Sequence, residues 1–155
     1  MSDKYFDDYQ PGQTRTTHGR TITEADVVLH AGHSGDYFPH HVDESWCRTQ
    51  PFGQRIAHGT MTFTIGVGLT ATQLNPRAMT YGYDRLRFPR PVHIGDTIRT
   101  RLTIGPCVDD PKRPERFGRV TEKLEVLNQH DQCVLACEHI LLVHKRDANA
   151  DASTD

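Results

Sequence analysis

Residues 59–74, GTMTFTIGVGLTATQL, are the longest apolar stretch of the chain without proline, and they restrict the fold more than any other segment. A run of about 16 residues exceeds the usual strand length of roughly 4 to 8, so it is expected to be a buried helix. Gly66 and Gly68 within it permit close approach by neighbouring backbone. After this segment the pattern changes to strands, expected over 79–88, 97–104, 118–127 and 133–144. Their punctuation is Gly95-Asp96, a proline-rich loop over 106–114, and Asn128-Gln129-His130-Asp131. Helices early and strands late indicate an α+β domain in which an antiparallel sheet closes over one apolar helix.

The first part of the chain carries shorter signals. Residues 7–20 hold the turn pair Pro11-Gly12 and then alternate as a short strand. Thr23 followed by Asp26 reads as a capping box, opening a helix with an apolar face of Ala25, Val28 and Leu29 that ends near Gly32. Residues 33–54, rich in Gly, Asp, Pro and His, form a loop, with a short helix opened by Asp43. No internal repeat is present, which excludes a solenoid. From Asp147 the residues are small, polar and acidic, so residues 1–146 are expected as a single domain and 147–155 as a disordered tail.

Composition narrows the function classes. A chain of 155 residues suits one domain. With 35% apolar and 25% charged residues it matches soluble globular proteins. A formal charge of -2 argues against a general nucleic-acid binder. No stretch approaches the roughly 20 apolar residues of a membrane helix, and Met1-Ser2-Asp3-Lys4 lacks a signal-peptide pattern, so a cytoplasmic location with no membrane partner is expected. Cys47, Cys107, Cys133 and Cys137 form no CxxC pair and are read as reduced thiols; Cys133 and Cys137 share a strand face, which leaves a metal pair as the lesser reading.

Two short segments carry candidate chemistry. In Ser34-Gly35-Asp36-Tyr37-Phe38-Pro39-His40-His41-Val42-Asp43, Asp36 supplies a general base and His41 a group that carries a proton near neutral pH. Segment bending at Gly35 and Pro39 allows one water between them; the plainer reading is a turn-capping Asp and a solvated His. In Ile56-Ala57-His58-Gly59-Thr60-Met61 a loop enters the apolar helix, where free N–H groups beside a glycine form an oxyanion hole for a carbonyl. The plainer reading is that Gly59 eases a tight entry and His58 caps the helix.

A third segment, Arg87-Phe88-Pro89-Arg90-Pro91-Val92-His93-Ile94-Gly95-Asp96-Thr97, completes an ordered set. Over about residues 5 to 145 the chain resembles the MaoC-like dehydratase family, which includes the R-specific enoyl-CoA hydratases. The family's loop G-D-x-N-P-x-H-x-D is matched by Gly35, Asp36, Pro39, His41 and Asp43, its HG helix start by His58 and Gly59, and its F-x-x-P-V-x-x-G-D by Phe88, Pro91, Val92, Gly95 and Asp96. The resemblance implies a hotdog fold, usually paired as a homodimer or higher homo-oligomer. It implies that Asp36 and His41 hold and activate a water that adds at the β-carbon of an acyl-CoA substrate, and that the Gly59 amide polarises the thioester carbonyl. Such chemistry needs no metal or redox cofactor, coenzyme A entering only as part of the substrate.

Phe38 stands where the family has Asn, so either the loop is held differently or the acyl pocket is narrowed. Phe38 is placed with His58 and Arg87 as substrate-binding; Arg85, Arg87 and Arg90 suit the phosphates of coenzyme A, or form a solvated strand edge. His40 competes with His41, but the motif's spacing favours His41. His18, His30, His93, His130, His139 and His144 are read as surface or strand histidines. The alternatives to a hydratase are an acyl-CoA thioesterase and a non-catalytic module that binds acyl-CoA or acyl-carrier protein.

Overall fold

The computed structural model describes residues 3–71 and 75–146; the segment read as an acidic tail lies outside the described residues. The apolar run forms helix α4, Gly59–Thr70, preceded by α1 (Glu24–Ser34), α2 (Pro39–Val42) and α3 (Glu44–Cys47). Strands β1 (Thr14–Thr16) and β2 (Arg20–Thr21) come early, and β3 (Ala78–Arg87), β4 (Thr97–Asp109), β5 (Phe117–Leu127) and β6 (Cys133–His144) follow the helix. The antiparallel sheet has the order β1-β4-β5-β6-β3, with β2 also paired to β4. Its inner face closes on α4, which is the α+β hotdog architecture.

Alternation along the strands sets this packing. Ile98 and Leu102 of β4, Val120, Leu124 and Val126 of β5, and Leu135 and Cys137 of β6 are buried on the helix side. Burial of each large aliphatic side chain in that layer contributes about 1.5–3 kcal/mol. Gly66 brings the helix backbone down onto the sheet, because a Cβ there would stand 2.6 Å from Val126 Cγ2. Fully buried Thr100 is satisfied in the same place, its hydroxyl donating to the Gly66 carbonyl at 2.7 Å.

The α1 capping box forms as expected: Asp26 N donates to Thr23 Oγ1 at 3.4 Å, and Thr23 N donates to the Asp26 carboxylate at 2.8 Å. The helix runs past Gly32 and closes at Gly35, whose φ of 77° fits the left-handed cap that glycine adopts without strain. Its expected apolar face is wrong. Val27 and Ala31 are buried, whereas Ala25 is exposed and Val28 and Leu29 are 57% and 72% exposed. The inner side also holds His30, whose Nε2 lies 2.9 Å from Thr60 Oγ1 on α4, so a polar tie selected the face that hydrophobicity alone did not. Asp43 does open a short helix, α3, by accepting from Trp46 N at 2.9 Å, and Pro39 at the first turn starts the unforeseen α2.

The proline-rich loop is shorter than expected, because β4 continues through Pro106 to Asp109. A register shift between Ile104 and Cys107 absorbs the missing proline donor. Among the described residues strand β3 pairs only with β6, leaving its other edge open, with Met79 60% and Tyr81 57% exposed. Among the described residues, no helix is long and apolar enough to cross a membrane.

The Gly66 contact yields a direct test. Gly66→Ala forces a methyl against Val126, and overpacking of this kind costs about 1–3 kcal/mol, more than the roughly 1 kcal/mol gained in helix propensity. Thermal unfolding should therefore begin several degrees lower, and Val126→Ala in the same chain should recover part of the loss. An unchanged melting temperature in the single variant would show that the helix does not rest on the sheet here.

Candidate active site

His41 is 4% exposed although it sits in the loop segment, because α2 turns its ring inward. Its Nδ1 lies 2.7 Å from the Ile56 carbonyl, which can only accept, so Nδ1 carries the proton and Nε2 of the neutral ring is bare. Burial holds its pKa below the ordinary histidine value, outweighing the upward pull of the Ile56 hydrogen bond and helped by the neighbouring His58 and His40. The bare Nε2 is 3.8 Å from Asp36 Oδ2, too long for a direct hydrogen bond and suited to one bridging water.

Asp36 follows the Gly35 cap of α1, and its side chain is 49% exposed. Asp36 Oδ1 accepts from Phe38 N at 3.2 Å, a local turn that orients the carboxylate. That hydrogen bond is the main cause of a lowered Asp36 pKa, and the group is ionised at neutral pH.

His58 ties the two motifs together. Its ring is 1% exposed and stacks on His41 with centroids 3.6 Å apart and planes 22° apart. Its Nε2–H donates to the Asp36 backbone carbonyl at 2.9 Å, while Nδ1 is buried without a partner. The ring therefore makes no cap hydrogen bond to α4, contrary to the capping reading, and no side chain occupies the N–H groups of that helix start. Asp36, His41 and His58 each offer a ligand atom within 4.8 Å of the others. In nearly parallel stacked rings, however, the in-plane lone pairs run side by side instead of converging on one ion, so the donor set suits hydrogen bonding better than coordination.

A cleft of about 570 Å³ lies beside this cluster, lined by His40, His41, Gly59, Thr62, Phe88 and Arg90 among others. Gly59 opens α4 beneath the Phe88 ring, where a Cβ would meet ring carbons at 3.1 Å. The structure thus brings Asp36, His41, His58 and Gly59 together. Of these four, His41 and Gly59 line the cleft, while Asp36 and His58 stand outside its lining, as do two further expected residues, Phe38 and Arg87. Phe38 is 54% exposed and packs its ring on His40 at 4.6 Å and on Trp46 at 6.1 Å, outside the lining. Arg87 is exposed and donates to the Leu86 carbonyl, while Arg90 lines the cleft and Arg85 pairs with Glu138. His58 lies behind His41, where it positions the ring without reaching substrate space.

The cluster includes two histidines that the sequence reading sets aside, His40 in favour of His41 and His30 as a surface or strand histidine. His40 Nε2 is 2.7 Å from His41 Nε2 and so donates to the bare nitrogen, and His30 tilts against His58 at 4.8 Å. Adjacency to His41 was the available signal for His40. His30 had none, since only the docking of α1 on α4 brings it close.

A family model described as a MaoC like domain matches residues 8–126. The chain belongs to the MaoC-like dehydratase family. It is 36% identical over 108 residues to the (R)-specific enoyl-CoA hydratase of Rhodospirillum rubrum, covering 70% of this chain and 74% of that protein. It is 43% identical over 101 residues to Protein MaoC of Klebsiella aerogenes, a match that covers 64% of this chain and only 30% of that longer relative. A solved structure described as a monoamine oxidase regulatory protein from Archaeoglobus fulgius superposes with a TM-score of 0.85 at 33% identity, covering 93% of this chain and 96% of that one.

If His58 holds His41 low and inward, His58→Ala should cut kcat by roughly tenfold or more while KM changes little. The sign of the pH effect follows from burial: the neutral His41 ring is the competent form, so activity falls as pH drops through its lowered pKa. Opening the stack to water should move that acid limb to higher pH. A lower kcat with an unmoved acid limb would assign His58 a merely structural role.

Proposed function

We propose that this MaoC-like protein adds water reversibly across the double bond of an α,β-unsaturated acyl-CoA thioester, giving a β-hydroxyacyl-CoA. The reading is carried by Asp36 Oδ2 standing 3.8 Å from the bare Nε2 of His41, next to a cleft that includes the uncapped Gly59 start of α4. The hydratase activity named for the Rhodospirillum rubrum relative supports it.

In the proposed reaction the Gly59 N–H accepts a share of the negative charge that develops on the thioester oxygen. Water held by Asp36 and His41 gives its hydroxyl to the β-carbon and its proton to the pair. The α-carbon of the resulting enolate then takes a proton back from the pair, which ends as it began. Both roles suit the groups: Asp36 is ionised, and the hydrogen bond to Ile56 leaves His41 Nε2 without a proton of its own, so that water replaces His40 as its donor when the proton moves. Coenzyme A enters as part of the substrate, and of the three arginines suited to its phosphates, Arg85, Arg87 and Arg90, it is Arg90 in the cleft wall that takes that role.

Asp36→Asn and His41→Ala should each lower kcat for hydration by roughly 10²-fold or more, and the double variant should be scarcely worse than the poorer single one. Loss of the conjugated enoyl absorbance and release of free thiol are read in parallel. Thiol release matching loss of the chromophore would establish a thioesterase; binding with neither signal would establish a non-catalytic acyl-CoA module.

The open edge of β3, with Met79 and Tyr81 exposed on it, supports a homodimer in which two sheets meet edge to edge. Sedimentation at micromolar concentration should give a dimer or a multiple of it, and Met79→Glu with Tyr81→Glu should shift it towards monomer. A monomeric wild type would remove the assembly.

A further inference from the structure

The inner rows of β5 and β6 are apolar except at one place. Between Val120 and Leu124 stands Glu122, and two residues beyond Cys137 stands His139, its direct cross-strand partner. Each is 7% exposed. His139 Nδ1–H donates to Glu122 Oε2 at 2.9 Å, Thr80 Oγ1–H donates to His139 Nε2 at 2.9 Å, and the Tyr83 ring stacks on the imidazole at 4.6 Å. A buried carboxylate and its imidazole partner in an apolar row add little to stability compared with apolar residues of similar size, so packing alone does not account for them. Among the described residues, no donor reaches the second carboxylate oxygen, Glu122 Oε1.

That carboxylate lines a second cavity of about 530 Å³, shared with Tyr9, Arg15, Val67, Thr70 and His139. The Tyr9 hydroxyl oxygen accepts from Asn75 Nδ2 at 3.0 Å, and among the described residues no acceptor takes its proton. Burial, with the Glu122 charge adding to it, raises the Tyr9 pKa and keeps the phenol protonated. Glu122 Oε1 thus offers an acceptor and the Tyr9 hydroxyl a donor to the cavity, whose lining also includes Lys4, Gln13, Thr14 and Arg15.

Its position relates it to the cleft. Gly59, Phe63, Val67 and Thr70 follow helical spacing along one face of α4. Gly59 lines the cleft, Val67 and Thr70 line the second cavity, and Phe63 stands between them on that face, edge-on to Tyr83 at 4.8 Å. From Gly59 to Val67 the helix rises about 12 Å, the reach of an extended acyl chain of about ten carbons.

We infer that the second cavity receives the far end of the acyl chain whose thioester sits at Gly59, and that this end carries a hydroxyl group, donating to Glu122 Oε1 and accepting from Tyr9. The substrate class is then a medium-chain, distally hydroxylated enoyl thioester, an assignment that rests on the hydration reading of the cleft. A plain alkyl end would leave both Glu122 and Tyr9 dehydrated and unmatched. A carboxylate end would face Glu122, and an ammonium end would face Arg15 and Lys4, which also line the space.

Binding and turnover are measured separately. Saturated ω-hydroxydecanoyl-CoA and decanoyl-CoA, neither of which can be hydrated, are compared by isothermal titration calorimetry with the full chain. The hydroxylated thioester should bind roughly tenfold more tightly, the scale of one or two well-made hydrogen bonds. Glu122→Leu with His139→Leu, which continues the apolar row, should abolish or reverse that preference in protein shown to be folded by circular dichroism. Tyr9→Phe should reduce it without touching the sheet, and decides the matter if the double variant fails to fold. Equal wild-type affinities, or a ratio that Tyr9→Phe leaves unchanged, overturn the inference. Hydration of decenoyl-CoA and ω-hydroxydecenoyl-CoA, followed by absorbance, reports on the cleft. Hydration of both with equal binding of the saturated pair removes the hydroxyl preference and keeps the hydratase. Preferential binding without hydration of either keeps the recognition site and removes the hydratase.

Discussion

The close seat of α4 on the inner face of the sheet is the constraint from which the rest follows. Gly66 has no side chain to hold the helix off Val126, and the Thr100 hydroxyl takes the Gly66 carbonyl at the point of contact. With the helix fixed there, its N-terminus is fixed as well. Ala57 N donates to the Val92 carbonyl at 2.7 Å, and Ile56 bridges to His93, so the approach to Gly59 is clamped against the segment that follows β3. The uncapped helix start therefore meets the cleft from a rigid base, the condition under which backbone N–H groups stabilise developing charge without reorganising.

The loop bearing Asp36 and His41 is held to that base by short polar links. Ile56 receives the His41 proton and His58 donates to the Asp36 carbonyl, and the two imidazoles stack. Each ring is thereby restricted to one tautomer, and burial holds the His41 pKa down so that its ring is kept neutral. Arg55 adds a further tie, donating to Glu24 of α1 at 2.7 and 2.6 Å and to Glu44 of α3 at 3.3 Å. Helix α1, the loop and the entry to α4 thus form one cross-linked unit. The exposed carboxylate of Asp36 at its edge is the part left free to meet solvent and substrate.

Two clusters of polar groups stand at the two ends of one face of α4. At the Gly59 end they are histidines that donate to backbone carbonyls; at the Val67 and Thr70 end they are Glu122, His139, Thr80 and Tyr9. Between them lie the aromatic pair Phe63 and Tyr83.

By itself the sequence determined the elements and nominated the candidate groups. The apolar run without proline is longer than a usual strand and suits a buried helix, the late alternating segments suit strands, and the Thr23 and Asp26 pair named a helix start correctly. The spacing of Asp36, His41, His58 and Gly59 marked residues that the fold does bring together. These signals are local: each depends on periodicity, capping or loop chemistry within a few residues. Tertiary structure decided what depends on partners far along the chain. It chose Val27 and Ala31 over Val28 and Leu29 for burial, turned Phe38 outward onto His40, put Arg90 in the cleft wall in place of Arg87, and made His139 a buried partner of Glu122 instead of a simple strand histidine. In each case the residue's own character permits either placement, and the choice is made by which neighbour supplies a hydrogen bond or a packing surface once the sheet has closed on α4.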